Sequence, residues 1–99
     1  MHITIRQYKT DSPKEVTQIV NERWFPIIKK IAGFVAYYGI ETGEDGWASV
    51  SVFETPAGAE ESNRVAAEFV KNNTDLSSLI KSPPEVVACS VVAYKAKED

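Results

Sequence analysis

From His2 to Tyr8 the chain alternates. Ile3, Ile5 and Gln7 project to one side, and His2, Thr4, Arg6 and Tyr8 to the other. A period of two with one plainly apolar side predicts a strand. The period changes after Ser12. Val16, Ile19, Val20, Trp24, Ile27, Ile28 and Ile31 recur every three or four residues, the stripe of an amphipathic helix. Ser12-Pro13-Lys14-Glu15 opens this helix, with Ser12 as N-cap, Pro13 at the first helical position and Glu15 completing a capping box. Pro26 has no N–H to bond the Glu22 carbonyl, so a kink is expected there, with the stripe keeping its phase beyond it. Gly33 ends the helix.

Two runs rich in aromatic and β-branched residues follow, joined by TGEDG. They read as a β-hairpin. In its first strand Phe34, Ala36, Tyr38 and Ile40 share a face; in its second, Trp47, Ser49, Ser51 and Phe53 do. Thr55-Pro56 then opens a second helix that runs to about Asn72. Its inward face is Ala59, Ser62, Asn63, Ala66, Phe69 and Val70. Leu76, Leu79 and Ile80 predict one short helical turn, Pro83-Pro84 stops it, and Glu85 to Lys95 reads as a last strand. The order βαββαβ predicts an α+β ferredoxin-like sandwich, an antiparallel sheet with two helices on one face.

Composition narrows the function classes. Ninety-nine residues make one domain, 1–99, with little core to spare, for which oligomerisation is a common remedy. No apolar run approaches the ~20 residues of a membrane span. The first residues lack a signal-peptide core, and Cys89 is the only cysteine, so a cytoplasmic protein is expected. A net charge of −3 argues against nucleic acid as a partner. The third strand, WASVSVFE, also lacks the basic and aromatic pattern of RNA-recognition modules that share this order.

Two local patterns carry a family resemblance. A long first helix ends in Ile31-Ala32-Gly33-Phe34 and runs into VAYYGI; a strand ending Val52-Phe53-Glu54-Thr55 enters an Ala- and Glu-rich helix. This resembles the antibiotic-biosynthesis-monooxygenase-like family of small dimeric α/β barrels, over nearly the whole chain. The resemblance implies a homodimer whose two sheets pack face to face with helices outside. It implies oxidation of aromatic polyketides, or opening of haem, with O₂ and no dedicated metal or flavin cofactor. The haem-opening members use an Asn on the first strand, a Trp at the end of the third and a His on the following helix. Here the matching places offer Gln7 and Phe53, and that helix has no histidine, since His2 is the only one. Haem turnover is therefore not expected.

The remaining candidates come from the residues themselves. Ser62 and Asn63 fall on the inward side of the second helix, beside Ala59, Ala66 and Phe69. Polar side chains facing a core cost about 1–3 kcal/mol unless bonded, and small neighbours leave room. This is the pattern of a ligand pocket, and equally of polar groups satisfied within an ordinary core. A second set, His2, Arg6, Tyr8, Tyr37, Trp47, Ser49, Ser51 and Phe53, is placed on the open sheet face, as an aromatic cavity or as a dimer interface. Candidate substrate-binding residues are thus Gln7, Phe53, Ser62, Asn63 and Phe69, for a small aromatic ligand. Cys89 is expected to be a small buried hydrophobe. Only one of Tyr37 and Tyr38 can face inward.

Overall fold

In the computed structural model, residues 1–97 are described. The elements are β1 (His2–Lys9), α1 (Pro13–Ile19), a π-helical turn (Val20–Trp24), α2 (Phe25–Ile28), β2 (Phe34–Gly43), β3 (Gly46–Phe53), α3 (Pro56–Asn72), α4 (Thr74–Leu79) and β4 (Glu85–Ser90). The strands form one antiparallel sheet in the order β2-β3-β1-β4. The ferredoxin-like α+β fold expected from the pattern is the fold observed. The last strand is shorter than its apolar run: regular pairing stops at Ser90, where β1 runs out of partners at His2.

Pro26 acts as anticipated, though through a wider turn and not a simple bend. The Phe25 N–H reaches back five residues to the Val20 carbonyl, so the helix takes in an extra residue just before the proline. A π-turn of this kind absorbs the missing donor and the bulk of the ring. Beyond it Ile28 is buried, whereas Ile27 is 38% exposed and leaves the stripe. The capping box does not form. Ser12 occupies the N-cap, but its N–H, which Glu15 would have taken, is bonded to Thr10 Oγ1 at 3.1 Å. At α3 the cap is as expected, with Thr55 Oγ1 accepting from the Gly58 N–H at 3.2 Å. Gly33 does not end the helix, which stops at Ile28 with Lys29 as its C-cap; its φ of +83° serves instead the turn into β2, in which the Phe34 N–H donates to the Ile31 carbonyl at 3.1 Å.

The two sheet faces are the reverse of the simplest reading of β1. Its polar-looking side lies under the helices: Thr4 and Arg6 are buried there, and Tyr8 is half-buried. The register explains why. Thr4 pairs with Ser51, Arg6 with Ser49 and Tyr8 with Trp47, so this side of β1 shares a face with Trp47 and Phe53, the large aromatic residues that the helical stripe packs on. The residues expected on the open face are therefore the covered ones. Ile3 and Ile5 instead share the uncovered face with Val50, Val52, Tyr38, Ile40, Val87 and Cys89. Tyr38, Ile40 and Val87 are exposed there, and Cys89 is exposed, not buried. Tyr37 is the inward tyrosine. Phe25, off the stripe, packs edge-on against it at 5.4 Å between ring centres.

Candidate functional site

Between α3, the first helical segments and the sheet lies a small cavity. The sheet contributes Arg6, Tyr8, Tyr37, Trp47, Ser49 and Ser51; α3 contributes Ser62, Ala66, Phe69 and Val70; Val16, Val20 and Trp24 come from the first helical segments, and Leu76 and Ile80 from α4 and the residue after it. One wall is thus polar and the rest apolar or aromatic, the composition of a small-molecule site. The space open to water centres is about 30 Å³. That is enough for two or three waters, at ~10–15 Å³ each. Ser62 from the candidates on the second helix and Arg6, Tyr8, Tyr37, Trp47, Ser49 and Ser51 from those on the sheet line a single site. The alternation of Arg6 and Tyr8 was visible in the sequence; that it faced the second helix was not.

The sequence-predicted residues divide. Ser62 and Phe69 line the cavity. The Ser62 hydroxyl donates to the Ala59 carbonyl at 2.7 Å, leaving its oxygen able to accept. Asn63 is half-buried outside the lining; its amide donates to Thr4 Oγ1 and its Oδ1 accepts from Arg6 Nη1, both at 3.4 Å. Phe53 is wholly buried in the core and does not reach the cavity. Gln7 is exposed on the uncovered sheet face, since the inward position on β1 belongs to its neighbour Arg6.

Arg6 is only 8% exposed. Its Nε donates to the Tyr8 hydroxyl at 2.8 Å. Of the lining residues, Trp47 donates from Nε1 to Thr17 Oγ1 at 2.9 Å, and the Thr17 hydroxyl lies 2.8 Å from Glu41 Oε2. This chain ties β2, β3 and α1 together on the outer side of the indole. Among the described residues no three His, Cys, Asp or Glu side chains are grouped as metal ligands would be.

Burial raises the Tyr37 hydroxyl well above the ordinary tyrosine range, with nearby Tyr8 acting in the same direction; a hydrogen bond with Ser49 and the Arg6 charge oppose it only in part. Tyr37 is therefore neutral in the fold through the mildly alkaline range. An unfolded chain ionises this phenol near 10.0, while the folded chain keeps the proton. Stability is then full below that pH and falls above it, by about 1.4 kcal/mol per pH unit for one group. Denaturant midpoints measured from pH 9 upward are expected to drop once pH passes ~10, and less steeply in Tyr37→Phe. Equal slopes in the two proteins would assign the loss elsewhere.

Neither a family model nor a curated relative matches this sequence. Solved structures do match in fold. A monooxygenase from the gene ActVA-Orf6 of Streptomyces coelicolor, in complex with nanaomycin D, superposes with a TM-score of 0.77 at 12% identity, covering 98% of this chain and 92% of that one. An Asn-to-Ala variant of SnoaB, a cofactor-independent oxygenase from Streptomyces nogalater, gives 0.69 at 15% identity, over 97% and 98% of the two chains. A dimeric ferredoxin-like protein from an uncultured marine organism gives 0.70 at 12% identity, over 98% and 100%. The likeness to monooxygenases of the antibiotic-biosynthesis type seen in the sequence is met by a shared fold over the whole chain.

Proposed function

We propose that this protein works as a homodimer, with each protomer binding a small aromatic compound in the Arg6 cavity and oxidising it with O₂, without a metal or flavin. The observation that carries the reading is the cavity itself, a polar wall of Arg6, Tyr8, Tyr37 and serines set into an otherwise aromatic and aliphatic enclosure. A flat ring fits the apolar walls and presents its oxygens to the polar one. The monooxygenases that share the fold support the reaction class. In such a step a ring CH₂ flanked by aromatic carbons loses a proton and passes electrons to O₂. One oxygen atom becomes the new carbonyl and the other leaves as water. The uncovered apolar face of the sheet supports the dimer, as does the dimeric neighbour.

At its present volume the cavity admits water but not a two-ring compound. Leu76 and Ile80 form a wall that stands on and just after the six-residue α4. Ligand entry displaces this wall. The test is oxygen uptake with a panel of hydroxylated bicyclic and tricyclic aromatics, nanaomycin D serving as a binding probe. Protein-dependent uptake with one new oxygen atom in the product by mass spectrometry is expected. Binding of the panel with no uptake would favour a ligand-binding protein that catalyses nothing. One feature favours that second reading: no His, Asp or Glu is among the cavity residues, so the protein supplies no ordinary base for the proton.

The Asn63→Ala variant tests the cavity rim. Its amide spans Thr4 and Arg6 with long bonds, and alanine is the better helix former by a few tenths of a kcal/mol. A net loss of about 1 kcal/mol is expected, read as a fall in melting temperature of roughly 4–8 °C, together with weaker ligand binding because Arg6 loses a brace. Unchanged binding with that same fall would make Asn63 purely structural.

A further inference from the structure

Arg6 is the one charged side chain among the cavity residues; its guanidinium carbon lies 5.7 Å from the centre of the Tyr8 ring, a cation–π contact and not an ion pair. Its Nε and Nη1 reach two neutral oxygens, on Tyr8 and Asn63. Among the described residues no carboxylate pairs with it, and its Nη2 has no hydrogen-bond partner. A guanidinium carries five donors, so three remain uncommitted. Burying an unpaired cation weakens the fold, and buried charges are ordinarily paired or given to a ligand. Arg6 lines a cavity whose hydroxyl groups are those of Tyr8, Tyr37, Ser49, Ser51 and Ser62. Those hydroxyls can donate to an oxygen but cannot neutralise the cation. Tyr37 in particular is held neutral by its burial.

We infer that the site selects aromatic compounds carrying an ionised oxygen on or beside the ring, and that Arg6 is the residue that binds this oxyanion. The inference rests on the aromatic-ligand reading above and adds the charge. Tyr8 and Asn63 act as positioning residues, holding the guanidinium by its Nε and one Nη so that the other faces the ligand. Either a phenolate or an arenecarboxylate supplies the same chemistry, an oxygen anion accepting charge-assisted bonds from Arg6. For a phenol, the cation also favours the ionised form and prepares the ring to give up electrons.

The experiment compares matched probes on the wild-type protein, by quenching of the fluorescence of Trp24 and Trp47, which line the cavity. 1-Naphthoate is expected to bind at least about tenfold more tightly than neutral 1-naphthamide, a difference of ~1.4 kcal/mol. 4-Nitro-1-naphthol, whose ionised form is coloured, is expected to titrate when bound about one unit or more below its pKa in water, as beside an opposite charge. In Arg6→Met both effects should vanish, with 1-naphthoate and 1-naphthamide bound alike within about twofold. Preference for the carboxylate alone, or a shift of the naphthol alone, supports the inference and tells which oxyanion the site takes. Equal binding of naphthoate and naphthamide with no naphthol shift would overturn it and leave the aromatic reading standing. Retention of the preference in Arg6→Met would likewise overturn it. Failure of all three probes to bind would remove both readings together. If Arg6→Met does not fold, the wild-type comparison and the bound ionisation decide alone.

Discussion

Phe53→Ala is expected to lower the melting temperature by about 12–40 °C, at ~4–8 °C per kcal/mol for a chain of this size. Phe53 has no exposed surface and sits at the end of β3, edge-on to Phe34 with ring centres 5.9 Å apart. The backbone of α3 is pressed against it. A methyl group added at Gly58 would lie 2.9 Å from Phe53 Cδ1 and 2.8 Å from the Ala32 carbonyl oxygen, so the first turn of the helix has already come as close as a glycine allows. A void left by the ring cannot be filled by moving that turn inward without breaking the Thr55 cap. The cost then lies near the full range for a buried phenylalanine, about 3–5 kcal/mol, transfer and cavity terms together. Calorimetry on the variant checks this. A fall under 5 °C would mean that the surrounding core relaxes into the space. Phe53 stands outside the cavity, so the surviving folded fraction of a milder variant such as Phe53→Leu should bind the aromatic probes unchanged.

Ile5→Glu is expected to halve the particle mass in solution, from about twice the 11.0 kDa of one chain to that of one chain. Ile5 lies mid-strand on the uncovered sheet face, between Val50 of β3 and Val87 of β4. With Ile3, Val52, Tyr38 and Ile40 it forms an apolar layer that the chain's own helices leave bare. A second copy laid against this layer buries the residue on both sides. A glutamate at each such position would face its counterpart, or hydrocarbon, and a carboxylate placed there costs several kcal/mol. In the isolated protomer the same side chain reaches water with little penalty, so loss of the dimer and not of the fold is the expected result. Light scattering at micromolar concentration, with circular dichroism as the control for folding, reads it directly. A wild-type mass of 11.0 kDa would remove the premise.

These two residues show where the sequence sufficed and where it did not. The order of the elements, the covering of one sheet face by helices, the disturbance at Pro26 and the length of α3 are local matters. Period, cap and proline chemistry act within a few residues, and they were legible in the chain. Ser62 and Phe69 were legible too, because a helical period alone turns them inward. Which side of β1 meets the helices was decided elsewhere. Taken alone, Ile3 and Ile5 are the residues to bury and Arg6 the one to expose. Register with β3 puts Arg6 and Tyr8 on the sheet face that carries Trp47 and Phe53, and the larger aromatic area prevails over the charge. That same pairing joins two separate clusters of candidates into one cavity, brings Asn63 against an arginine fifty-seven residues away and sends Gln7 to the far face. No period within β1 could report it, because the burial of a strand's face depends on what its neighbours carry.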